Sequence, residues 1–138
     1  MKFSEERRQA VFARTDGHCH ICRRKLALKN YGLAGMRGAW EVEHSRPQAN
    51  GGTHHLNNLY PACISCNRSK GKSSTTAARA RNGYRRAPLS RPAREANTFA
   101  YGAVGLVVGR VLLAPLGPVA WIATGVIGAM IGKALEPE

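Results

Sequence analysis

"EVEHSRPQANGGTHHLNNLYPACISCNRSKG", residues 41–71, carries the reading of the fold. With the two residues before it, "AWEVEH" alternates apolar and polar positions and predicts a strand with Trp40 and Val42 on one face. Pro47, Gly51 and Gly52 punctuate a loop. "LNNLYPAC" then returns the chain to a Cys-x-x-Cys pair, and "SCNRSKGKSS" reads as a turn entering a short helix. Glu43 and His44 close the strand, so their side chains point to opposite sides. A carboxylate suits a hard cation, and a neutral imidazole suits proton abstraction from water near neutral pH. Asn67 directly follows Cys66 and adds a second hard oxygen ligand. A carboxylate and an amide leave coordination positions open for phosphate and water, the pattern of an Mg²⁺ ion assisting phosphodiester hydrolysis.

The four cysteines, Cys19, Cys22, Cys63 and Cys66, form two Cys-x-x-Cys pairs with none left over. That spacing predicts a structural Zn²⁺ held by four thiolates; two disulfides in a secreted chain are the alternative. "MKFSEERRQAVFARTDG" has no apolar run behind its charges, as a signal peptide would, so a reducing cytoplasm is the expected compartment. His18 and His20 flank Cys19, and His20 could replace one cysteine as a ligand, although four thiolates suffice.

Charge divides the 138 residues unevenly. Residues 1–96 hold 19 Lys and Arg against 6 Asp and Glu, whereas residues 97–138 hold two of each. A basic front favours a polyanion, with nucleic acid first and an anionic membrane face second. Within it, residues 4–14 predict a helix capped by Ser4.

The central stretch resembles the HNH endonuclease family in its zinc-stapled ββα-metal form. The resemblance rests on Glu43-His44, Pro47, Gly51-Gly52, Asn58-Leu59, Cys63-x-x-Cys66-Asn67 and Lys70-Gly71, and covers residues 17–72. It implies a metal-dependent DNA endonuclease with His44 as general base. Asn58 would brace the loop that orients His44, and Leu59 after it favours Asn58 over Asn57 for that role. Glu43 and Asn67 would hold the catalytic ion, and the four cysteines the zinc. Glu stands where the family more often has Asp, and Asn where it often has His. An all-oxygen shell prefers Mg²⁺ or Mn²⁺. Arg46, Arg68, Lys70 and Lys72 surround this site and are expected on the DNA backbone. His54 and His55 read as solvated loop residues, with phosphate contact as the alternative.

The expected architecture is α+β. Residues 1–72 form the zinc-stapled nuclease domain with its N-terminal helix. Residues 73–97 form a basic linker, and residues 98–138 an apolar, Gly-rich helical hairpin broken at "APLGP". Each arm of about 17 residues spans roughly 25 Å, short of a bilayer core of about 30 Å. Small residues recur at Ala120, Thr124, Gly128 and Gly132, and at Gly105 and Gly109, a face that permits close helix approach. The favoured expectation is a membrane contact through residues 98–135 that tethers the nuclease to the cytoplasmic face. A soluble hairpin that pairs copies of the chain or covers the nuclease module is the other. Arg110, within the first arm, favours the soluble form. Two other functions stay open: a zinc module that binds nucleic acid without cutting, and a toxin or defence nuclease that acts at membranes through the hairpin.

Overall fold

The structure, a computed structural model, describes residues 3–112 together with residues 122, 126, 127 and 129–131. The chain divides into two units, one reaching Ser90 and the other beginning at Arg91.

The first unit mixes short helices with a two-stranded antiparallel sheet. Helix α1 (Glu5–Ala13) starts where the Ser4 hydroxyl accepts the Arg7 amide, and two glutamates occupy its first turn. Strand β1 (Trp40–His44) pairs with β2 (Leu59–Cys63), so that Trp40 faces Cys63 and His44 faces Leu59. Val42 lies opposite Pro61, which a two-stranded sheet tolerates because each strand keeps a free edge. Helices α2 (Ile64–Lys70) and α3 (Thr75–Ala80) follow.

The alternation in β1 sends Trp40 and Val42 into a core shared with Val11, Ile21, Leu26, Leu59 and Ala78. Trp40 is fully enclosed, with Phe12 and Tyr31 at 5.1 and 5.0 Å between ring centroids. Its indole N–H donates to the Leu28 carbonyl, so the one polar atom of the ring is satisfied.

Residues 73–97, set apart by composition as a linker, are not linker throughout. Ala78 on α3 is 2 % exposed and packs in the core. The Thr75 hydroxyl donates to the Ser45 carbonyl at 2.8 Å and accepts from the Ser45 hydroxyl at 3.1 Å. Arginines hide this segment in the sequence, yet a small alanine and a threonine suffice to dock one helical turn.

The second unit contains α4 (Arg91–Leu112), which begins inside the expected linker and runs into the apolar segment. Pro92 falls in its first turn, where a missing N–H costs nothing. Phe99, Val104 and Val107 of α4 are largely exposed. Among the described residues, no helix is long and apolar enough to cross a membrane. The "APLGP" turn and most of the expected second arm lie outside the described residues.

Candidate active site and metal centre

The cysteine cluster is built from two separate stretches of the chain. Cys19 and Cys22 lie in the turn after α1, Cys63 ends β2, and Cys66 is in the first turn of α2. The four Sγ atoms lie within 4.8 Å of one another, and none forms a disulfide. Cys22 and Cys63 stand 3.7 Å apart, close to the edge of about 3.8 Å of a tetrahedron with Zn–S bonds near 2.3 Å. Hydrogen bonds from the Cys19 and Cys22 thiols pull Cys63 down to the thiolate, while sharing with Cys19 pushes Cys22 up. A divalent cation is what allows all four to ionise together, so this cluster could hold zinc. Arg24 donates to Cys22 Sγ at 3.4 Å and to Cys63 Sγ at 3.7 Å, placing a positive charge beside the thiolates.

His20 belongs to a different group. Its Nδ1 accepts from Arg79 of α3 at 2.9 Å, which leaves the proton on Nε2, 2.9 Å from Glu43 Oε2. The other carboxylate oxygen of Glu43 takes the Lys70 ammonium at 2.7 Å. Lys70 also donates to the His44 carbonyl at 3.1 Å. Burial pushes His20 below the ordinary imidazole value, against the pull of Glu43, so it stays neutral. Burial opposes ionisation of Glu43, but the His20 and Lys70 hydrogen bonds and charges outweigh it and lower its pKa. Every ionic member of this buried chain is thereby partnered.

Two sequence expectations meet this network. Lys70 is 3 % exposed and committed to Glu43, so it is not a surface contact for a phosphate; this corrects its assignment to the DNA-binding face. Glu43 and Asn67 have different partners. Both oxygens of Glu43 are taken, while the Asn67 amide donates to Glu41 Oε2 at 2.9 Å. As arranged, the Glu43–Asn67 pair does not fit a catalytic cation, because Lys70 already supplies the positive charge at Glu43. Arg46, Arg68 and Lys72 are exposed.

His44 is half-buried at the end of β1. Burial and the neighbouring His54 hold its pKa down, so it is a neutral base at pH 7. The loop beyond it is closed by Asn58. Its Oδ1 accepts the Arg46 amide at 2.7 Å, and its Nδ2 donates to the carbonyls of Arg46 at 3.1 Å and Thr53 at 2.9 Å. Gly52 makes the closure sterically feasible: a Cβ there would fall 1.8 Å from the Arg46 carbonyl oxygen. Helix α1 and its C-terminal cap hold this loop and the start of β2 from outside. Arg14 donates to the Leu59 carbonyl at 2.5 Å and to the Tyr60 hydroxyl at 2.9 Å, and Arg7 donates to the His54 carbonyl.

The sequence reading took His54 as a solvated loop residue or a phosphate contact and gave Arg79 no place in the site. Nothing local marks either one: His54 has a second histidine beside it, and Arg79 lies in a run of arginines.

Residues 19–73 match the family model described as HNH endonuclease. That segment is an HNH endonuclease domain, of nuclease type, and spans both halves of the cysteine cluster, β1, β2 and α2. No curated protein and no solved structure matches the chain.

Proposed function

We propose that the HNH domain hydrolyses phosphodiester bonds in DNA, with His44 as the general base that deprotonates the attacking water. The observation that carries this reading is the placement of His44: neutral, half-buried, at the strand end, beside a loop that Asn58 ties at three points. A base poised near the working pH is what the step needs. Zinc on the four cysteines holds the start of α2, and a catalytic Mg²⁺ or Mn²⁺ at Glu43 would have to displace the Lys70 ammonium. Arg46, Arg68 and Lys72 contact the backbone of the DNA, the polyanion that the basic front attracts. The test is plasmid cleavage by the full chain in Mg²⁺, wild type against His44→Ala. Loss of about 10²–10⁴-fold is expected for removal of a general base. Cleavage by the variant at the wild-type rate would overturn the reading.

One observation favours a second reading, a zinc module that binds nucleic acid without cutting: both oxygens of Glu43 face protein groups, the neutral His20 ring and the Lys70 ammonium. Undiminished DNA binding with no cleavage in either Mg²⁺ or Mn²⁺ would select it.

For the C-terminal unit, the proposal is contact with lipid. It is supported by the exposed apolar side chains of α4, Phe99, Val104 and Val107 among them, which water solvates poorly. Fractionation of the full chain with membranes, and of residues 1–90 without them, is the expected outcome.

A further inference from the structure

We propose that His54 is a positioning residue for His44, holding it in the tautomer that leaves Nδ1 as the base. The inference rests on the nuclease reading above. His44 Nε2 and His54 Nδ1 are 3.1 Å apart, with the rings edge-to-face at 74°. Only one proton can lie between them, so one ring donates and the other accepts.

The side chain beyond His54 permits either direction, and only one of them leaves His44 a free basic nitrogen. His54 Nε2 is 3.0 Å from the side-chain amide of Gln48. An amide turned by 180° about its last bond presents Oε1 there with the same geometry. In that arrangement Gln48 accepts from His54 Nε2–H, His54 Nδ1 accepts from His44 Nε2–H, and the His44 Nδ1 lone pair is free. The opposite direction would cover the only basic nitrogen of His44 with a proton from His54. When His44 takes the proton of water at Nδ1, its Nε2–H bond to His54 becomes charge-assisted and roughly twice as strong. The contact therefore strengthens as charge develops, which is the condition for lowering a barrier.

The position of His54 is enforced from several sides. Phe3 packs against both rings, at 5.9 Å from His54 and 6.2 Å from His44 between centroids. Arg7 donates to the His54 carbonyl, and Asn58 binds the carbonyl of Thr53 just before it. A solvated loop histidine would have none of these restraints.

The experiment uses the full-length zinc-loaded protein with ¹⁵N-labelled histidine, and long-range ¹H–¹⁵N correlations to read the His44 tautomer. The wild type is expected to show His44 as the Nε2–H form. His54→Phe keeps a ring against Phe3 and removes the acceptor. It is expected to mix the His44 tautomers and to lower kcat about 10- to 100-fold with KM unchanged, the size seen when a partner that orients an imidazole is lost. His54→Asn, whose Oδ1 can stand where Nδ1 stood, is expected to restore the tautomer and most of the rate. A wild-type His44 in the Nδ1–H form overturns the proposal, and so does His54→Phe with unchanged tautomer and kcat. If His54→Phe does not fold, the wild-type tautomer decides alone. His44→Ala that still cuts removes the nuclease role of His44 without touching the measured tautomer, so the two failures are distinct.

Discussion

His20 Nε2 meets Glu43 Oε2 at 2.9 Å, with both side chains at or below 2 % exposure. One contact thus ties the first pair of the cysteine cluster, Cys19 and Cys22, to the strand residue that precedes His44. Lys70 and Arg79 extend the tie to α2 and α3.

Removing one member of this network should cost far more than removing a surface ion pair. Lys70→Met leaves Glu43 buried with its counter-charge gone, and breaking a buried pair typically costs about 3–5 kcal/mol. Replacing both residues, Glu43→Leu with Lys70→Met, should recover much of that loss. Urea unfolding of residues 1–90 gives both values; a single variant within 1 kcal/mol of wild type, about the size of a surface pair, would show that the charge is solvated.

Acid should weaken the fold in two stages. The ordinary values are 6.5 for His20 and 4.5 for Glu43, and both groups are lowered in the fold. The unfolded chain therefore binds more protons than the folded one as pH falls. Stability is complete above 6.5, declines first as unfolded His20 charges, and declines again below 4.5 as Glu43 in the unfolded chain is neutralised. The urea midpoint followed against pH, with zinc occupancy monitored alongside, checks this. A midpoint that stays flat until zinc is released would refute it.

Zinc removal should unfold the first unit, not merely slow it. The core around Trp40 is small, and structural zinc contributes about 10–16 kcal/mol of apparent free energy in comparable small modules. Chelation, or Cys22→Ser, is expected to abolish cooperative thermal unfolding by circular dichroism. An unchanged transition in the metal-free protein would contradict the assignment.

Truncation locates the domain boundary. A protein ending at residue 72 loses Ala78 from the core, the Thr75–Ser45 hydrogen bonds and the Arg79–His20 contact. Two neutral hydrogen bonds and one charge-assisted hydrogen bond together suggest a loss of about 4 kcal/mol relative to residues 1–90. Equal stability of the two fragments would return α3 to the linker.

The sequence alone determined the elements whose causes are local. Ser4 capping, the alternation of "AWEVEH", the loop glycines and the paired Cys-x-x-Cys spacing each act over a few residues, and the structure contains the corresponding helix, strand, loop and cysteine cluster. Composition misjudged residues 73–97, because one docked turn needs only Thr75 and Ala78 and arginine-rich surroundings conceal them. The pairing of charges was decided by the tertiary structure. Strand alternation puts Glu41 and Glu43 on the same face, and nothing nearby in sequence says which of them meets Asn67 and which meets Lys70. Packing α2 across β1 sets Asn67 against Glu41 and Lys70 against Glu43, and brings in His20 and Arg79 from far along the chain. Buried charges take whichever partners the backbone brings within about 3 Å, because an unpartnered charge in a low-dielectric interior is too costly to persist.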